Sequence, residues 1–271
     1  MVGKKRGIRV KPEGNSQQRA AAPTDSDTIR TLLARRSIRK YTDQPVADET
    51  VEAVLGAALR APTSSNIQSY SVIVVRDQDT KDKLSLLTGK QRHVADCSVF
   101  LAFCADLTRM SWAMEKNGAS IADNNLELFL VSSVDAALVG MSAYLAAESL
   151  GLSGVMIGAV RNKPEAVAQL LGLPQLSYCV FGMCLGWPAE APQQKPRLAY
   201  DDVVHDERYD AAKVQKAVAD YDRELARHYE SIGKATTPDS WSRDIAAKFG
   251  ARPRPRDDLR PVLKARGIDC G

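Results

Sequence analysis

Two cationic clusters stand out among the side chains able to do chemistry: Arg35-Arg36-Ser37-Ile38-Arg39 and Lys195-Pro196-Arg197-Leu198. Between them lies a hydroxyl- and amide-rich segment, Ala61-Pro62-Thr63-Ser64-Ser65-Asn66. A phosphate monoester calls for guanidinium forks with hydroxyl or main-chain donors beside them, and a ring that turns anionic on reduction calls for a further cation. The three segments together supply that set, and flavin mononucleotide (FMN) is a cofactor that combines both features. Taken singly, each segment is ordinary. Clustered arginines suit a solvated helix end, Ser64 and Ser65 suit a turn after Pro62, and Lys195-Pro196-Arg197 suits an exposed extended edge.

Other chemistries find little support. His93, His205 and His228 are the only histidines, and no carboxylate or cysteine stands at ligand spacing from them, so neither a metal centre nor an essential histidine is expected. Cysteines 97, 104, 179, 184 and 270 form no C-x-x-C pair, and four of them sit in apolar runs, which reads as buried free thiols. No G-x-G-x-x-G follows a strand pattern, so a Rossmann site is not indicated.

The elements that must position the clusters follow from periodicity. Asp25 or Ser26 can cap a helix running through Arg36, and Ala47-Asp48-Glu49 opens a second that stops before Pro62. Tyr70–Val75 reads as a strand, Asp79–Leu87 as a helix and Val99–Ala105 as a strand, followed by a loop around Met110–Ala122. Asn124–Leu150 reads as a long helix, apolar on most of its circumference and so buried on several sides. A strand at Val155–Val160, a helix at Pro164–Leu171 and a strand at Tyr178–Leu185 come next, then helices at Ala211–Tyr229 and near Trp241. Helices separate the strands, so the expected class is α+β, a mixed α/β sandwich with a central sheet packed by helices.

The chain has 271 residues and a net charge of +4, but residues 1–22 alone carry about +5 and leave the rest near −1. The basic balance therefore belongs to a disordered tail, residues 1–24, and no nucleic-acid groove is expected on the body. Residues 25–200 form the core, and residues 201–271 form a polar C-terminal excursion too thin to hold a core alone. The tail lacks an apolar stretch after its basic start, which points to a cytoplasmic protein. Ala136–Ala147, flanked by Asp135 and Glu148, is too short to span a membrane.

With these segments in place, the chain resembles the flavin-dependent nitroreductase superfamily, in its branch of oxygen-insensitive NADPH nitroreductases and flavin reductases. The likeness runs from about residue 26 to 267 through Arg36–Thr42, Ala61–Gln68, Thr88–Val94, Glu148–Val155, Cys184–Pro188, Lys195–Leu198 and Trp241. It implies a nitroreductase-like fold with a mainly antiparallel sheet, a homodimer with FMN at the subunit interface, and a C-terminal arm wrapping the partner subunit. It places Arg35, Arg36 and Ser37 around the FMN phosphate and ribityl chain, Arg39 nearer the ring, and Arg197 with the phosphate. Lys195 falls at the N1/O2 edge and Gln91 at the pyrimidine edge. Thr63, Ser64, Ser65 and Gln68 would line the site, the first three from the partner. Met156, Ile157, Gly158 and Ala159 would cover one ring face, with the N–H of Gly158 or Ala159 as donor to N5.

The implied activity is two-electron, ping-pong reduction of nitroaromatics, quinones and flavins by NADPH or NADH, with no side-chain general base. The alternatives are a flavin reductase feeding a partner, and a non-catalytic flavin-binding or basic-tail interaction protein. Asn66 replaces an aromatic found in some relatives, so substrate preference does not carry over. Where relatives place arginines for the NADPH 2′-phosphate this chain has Ile232 and Thr237, with Lys234 the nearby cation, so weak discrimination between the two coenzymes is expected.

Overall fold

A computed structural model describes residues 24–121, 126–250 and 256–268. The basic tail, Asn124, the stretch 251–255 and Cys270 lie outside the described residues. Ser26 opens the first helix as foreseen: its Oγ accepts from the N–H of Ile29, and α1 runs Asp27–Ala34. It stops two residues short of Arg36, because Arg35 is extended (φ −53, ψ 133). That early stop leaves the arginine cluster in an open turn and not on a helix.

α2 (Asp48–Ala58) leads to a short 3-10 turn at Ser64–Asn66, then β1 (Tyr70–Val75), α3 (Gln78–Leu87), a short α4 (Arg92–Asp96) and β2 (Val99–Asp106). The loop expected at Met110–Ala122 begins instead with a helix, α5 (Thr108–Glu115). Asp106 starts it by accepting from the N–H and hydroxyl of Thr108. No residue of α5 is buried, and Met110 and Met114, half-buried one turn apart, are too short an apolar pattern for periodicity to detect. The long helix α6 is described over Leu126–Ser149, and β3 covers Ser153–Ile157. The strand expected to reach Val160 ends at Ile157 and turns into a 3-10 segment, Gly158–Asn162; Ala159 and Val160 stay buried there, so the apolar run outlasts the strand. α7 (Pro164–Leu170) and β4 (Ser177–Gly186) complete the core.

The four strands form one antiparallel sheet in the order β1-β2-β4-β3. Every residue of β2 is buried. Val99, Leu101 and Phe103 enter a core shared with α2 and α6, while Phe100, Ala102 and Cys104 enter a second core shared with Leu84 of α3 and Val167 of α7. A strand covered on both faces reads as a continuous apolar run, as Val99–Ala105 does. The result is a helix–sheet–helix sandwich, the expected α+β class.

Among the described residues, α6 alone is long and apolar enough to cross a membrane by length and composition, although the shorter run Ala136–Ala147 suggested otherwise. It serves as a core helix: Asp135, Ala136, Val139, Ala143, Tyr144 and Ala147 are buried against the sheet. It packs against α2 and α1 as well as the sheet, and one face stays uncovered within this single chain. Leu126, Leu130, Val134, Leu138 and Met141 leave an exposed apolar stripe along the opposite face.

After the core come α8 (Tyr200–Val203), a 3-10 turn at Ala211–Lys213, α9 (Val214–Ser231), α10 (Ser240–Phe249) and α11 (Leu259–Ala265). Buried Asp222 pins α10 to α9, accepting from the N–H of Ser242 at 2.8 Å and its hydroxyl at 2.7 Å. α11 returns to the core, where Leu263 and Ile268 pack with Ala105 and Tyr178. Arg266, 5% exposed, binds the carbonyls of Leu173, Pro174 and Ser177 and the Glu165 carboxylate. The last helix thus packs on the same sheet through a third apolar cluster, although a seven-residue segment containing Pro261 shows little periodicity in sequence.

Candidate active site

The turn after α1 is held from behind by main-chain and side-chain contacts. Ile38 donates its N–H to the Gly154 carbonyl at 3.0 Å, and the N–H of Arg39 reaches Glu190 at 2.8 Å. The hydroxyls of Tyr144 and Tyr41 donate to the carbonyls of Arg36 (2.6 Å) and Ile38 (2.8 Å). Gln194 closes the turn against the segment that follows β4, donating to Leu33 O (2.6 Å) and Arg35 O (3.1 Å). That contact brings the first and third cationic segments together across about 160 residues of sequence.

A cavity of about 460 Å³ lies between them, lined by Arg35, Arg36, Ser37, Arg39, Lys195 and Arg197 together with Leu32, Leu33 and residues 192–194. Among the described residues none of the five cations pairs with a carboxylate, and the N–H groups of Arg36 and Ser37 have no acceptor. Arg35 rests over the Tyr144 ring, 5.5 Å from its centroid. Arg197 donates to the carbonyls of Lys195 and Pro196. The Lys195 ammonium donates to the Tyr229 hydroxyl at 3.1 Å, tying this site to α9. Unpaired guanidinium groups with free main-chain N–H donors and Ser37 are a fit for a phosphate monoester, and the volume suits a cofactor.

The hydroxyl-rich loop is elsewhere. Buried Asp135 of α6 accepts from Ser64 N–H (3.1 Å), Ser69 N–H (3.1 Å) and Ser69 Oγ (2.8 Å), fixing Thr63–Gln68 beside the middle of the helix. Tyr144, behind the arginine turn, is nine residues further on, about 13 Å at the rise of an α-helix. Thr63, Ser64, Ser65, Asn66 and Gln68 therefore do not line the arginine cavity of their own chain. Ser65, Asn66 and Gln68 have φ of 48, 57 and 54, left-handed values that cost a non-glycine residue about 1 kcal/mol or more. Strain collected in one exposed loop points to a use other than linking α2 to β1.

Gln91 caps α4 and spends its amide on the Thr88 carbonyl. Ile157 and Ala159 are buried in the second core, so Met156 and the main chain at Gly158 are what that turn offers a ligand. Neighbouring His93 is held below the usual imidazole range by burial and by Arg39, which leaves it neutral and unlike a proton donor at neutral pH. Lys234 lies over the Tyr229 ring at 5.9 Å, apart from the arginine cavity.

Besides Tyr144, sequence reasoning missed Arg161 and Arg256. A side chain placed on Gly158 would meet the guanidinium nitrogens of Arg161 at 3.2 Å and Arg256 at 3.7 Å. Arg256 is held by Asn162 at 3.1 Å, and the Arg161 guanidinium is pushed below its usual range by burial and then by Arg256. Two like charges converging on an open glycine form a ready anion site. Arg161 lies in the turn after β3, but Arg256 sits 95 residues away in a Pro/Arg-rich stretch, and no local pattern joins them.

Residues 32–187 match the Nitroreductase family, and residues 195–271 match the C-terminal domain of that family. This chain belongs to the nitroreductase family. It is 42% identical over 230 residues to an oxygen-insensitive NADPH nitroreductase of Salmonella typhimurium, covering 85% of this chain and 94% of the relative. It is 36% identical to an FMN reductase [NAD(P)H] of Bacillus subtilis, over 90% of this chain and 98% of the relative. Among solved structures, B. megaterium NfrA2 superposes with a TM-score of 0.86 at 35% identity, covering 91% of this chain and all of the other. The nitroreductase assignment fits a four-stranded antiparallel sheet packed by helices on both faces.

Proposed function

We propose that this nitroreductase-family chain is an FMN-dependent NAD(P)H oxidoreductase that reduces nitroaromatics and quinones. The observation that carries the reading is the cavity whose cations, from Arg35 to Arg197, lack carboxylate partners among the described residues. When bound there, FMN would supply two-electron hydride chemistry between the nicotinamide and the acceptor. Arg35, Arg36, Ser37 and Arg197 would hold its phosphate, and Lys195 would stabilise negative charge at the ring. The paired guanidinium groups of Arg161 and Arg256 would draw the oxygens of a nitro group or quinone toward Gly158. No side chain is asked to act as a base.

The strained loop Thr63–Gln68 would complete the site of a second copy, with the apolar stripe of α6 as the contact between copies and α8–α10 as the arm reaching across. The stripe supports this, since an apolar ridge of that length on a lone surface is unusual. A cytosolic location suits the buried free thiols of Cys97, Cys104, Cys179 and Cys184. The relative named FMN reductase keeps a second reading in view, release of reduced flavin to a partner.

Anaerobic reduction of the purified yellow protein by NADH and NADPH tests the proposal. Bleaching by either coenzyme, reversed by a nitroaromatic or quinone, is the expected result. A protein that takes up no FMN would end the reading, and reoxidation by free flavin alone would favour the second.

Three adjoining clefts offer the coenzyme a track. Lys195 joins the arginine cavity to a neighbouring cleft of about 570 Å³, and Arg227 joins that cleft to a third of about 650 Å³ lined by Arg223, Arg227 and Lys234. Arg223 is engaged by Asp220, whereas Arg227 has no carboxylate partner among the described residues. Helix α9 thus offers an arginine where the loop lacks one, and the NADPH 2′-phosphate would use Arg227 of α9 with Lys234 of the loop. Arg227→Ala and Lys234→Ala are each expected to lower kcat/KM for NADPH roughly tenfold while NADH changes little, as for loss of one charge-assisted contact. Equal effects in steady-state assays with both coenzymes would remove these residues from that role.

A further inference from the structure

Tyr144 is the one large polar side chain on the buried face of α6, 1% exposed among Val139, Ala143 and Ala147. Packing alone would be served by leucine or phenylalanine at that position. Its hydroxyl instead crosses the layer to the arginine turn, donating to Arg36 O at 2.6 Å and lying 3.2 Å from Gly154 O. Its ring carries the Arg35 guanidinium. Ser153, which donates to Glu148, and the Glu148 carboxylate complete the surroundings of the phenol. Burial first, and then Glu148, push the Tyr144 phenol up to about 12, so the hydroxyl keeps its proton and remains a donor across the physiological range.

We propose that Tyr144 is a positioning residue for the cofactor's phosphate: its hydroxyl fixes the Arg36 carbonyl and its ring seats Arg35, so the phosphate meets a turn already in place. The proposal rests on the reading of the arginine cavity as the phosphate cradle. Both contacts address the same turn from beneath. A carbonyl held inward keeps the arginine main chain from collapsing into the cavity, and a guanidinium resting on an aromatic face loses less freedom when it binds an anion. The ring and the hydroxyl make separable contributions.

The test compares dissociation constants of FMN and riboflavin, by flavin fluorescence, for the flavin-free full chain and its Tyr144→Phe and Tyr144→Leu variants. Thermal unfolding of each flavin-free protein is followed in parallel. Riboflavin lacks the phosphate but keeps the ring and ribityl chain. In the unmodified chain FMN is expected to bind much more tightly than riboflavin. Tyr144→Phe, which keeps the ring, is expected to weaken FMN about fivefold to tenfold, as for loss of one buried hydrogen bond, with riboflavin unchanged. Tyr144→Leu is expected to lose a further factor of about three as the cation–π contact goes. An unchanged ratio of FMN to riboflavin affinity in Tyr144→Phe would overturn the proposal, as would equal weakening of both ligands with a lowered unfolding temperature, the mark of a purely structural role. Should Tyr144→Leu fail to fold, the nearly isosteric phenylalanine variant decides alone. If the unmodified chain itself shows no preference for FMN, the cradle reading has failed, a result distinct from a cradle that works without Tyr144.

Discussion

Arg36→Ala combined with Arg197→Ala is expected to give a soluble, folded protein that purifies without colour. Each guanidinium can make charge-assisted bonds to the phosphate, about 1.5–3 kcal/mol apiece, so the pair controls FMN affinity by a factor of roughly 10² to 10⁴. Both side chains are exposed in the cavity wall and neither is committed to a carboxylate among the described residues, so the fold loses little. Lysine at both positions should recover part of the loss, since it keeps the charge without the bidentate fork. The ratio of flavin to protein absorbance after purification, followed by titration with FMN, gives the answer. Wild-type flavin content in the double alanine variant would move the phosphate elsewhere.

Gly154→Ala is expected to cost the fold more than any surface change. A Cβ at that position would stand 2.0 Å from the carbonyl oxygen of Cys184, a main-chain atom of the neighbouring strand that cannot step aside as a side-chain tip can. Gly154 pairs with Leu185 across β3 and β4, and its own carbonyl receives the N–H of Ile38. Relieving the clash would part the two strands and shift the arginine turn with them. A loss of about 3 kcal/mol or more is expected in urea unfolding of the flavin-free chain, with flavin binding weakened in parallel. A variant within about 0.5 kcal/mol of wild type would show that β3 can move away from β4 without loss.

The elements that sequence reasoning found are those whose hydropathy differs from their surroundings. Tyr70–Val75 is legible to the residue and Val99–Ala105 to within one, because each is a short apolar run between polar turns, and Ser26 caps the first helix as its type suggests. Failures came where burial and secondary structure part company. α5 is helical without a buried face, and the turn at Gly158–Asn162 is buried without being a strand. α11 escaped because it is only seven residues long with Pro261 inside it, too short for a periodic stripe to show, and the buried Arg266 that anchors it lies just past its end. At the site, local clusters such as Arg35–Arg39 and Lys195–Arg197 were legible, and the fold does bring them to one cavity. Tyr144 and the pairing of Arg161 with Arg256 were not, since each depends on a contact between residues far apart in sequence.

The nine residues of α6, about 13 Å of helix, that separate Asp135, which holds the loop, from Tyr144, which holds the turn, have a genetic side on the reading that the loop serves a second copy. A chain with a ruined arginine turn would still lend a sound loop, and a chain with a ruined loop would still lend a sound turn. Two defective alleles of opposite kind, expressed in one cell, would then restore one working site in each mixed pair, whereas two alleles of the same kind would restore none.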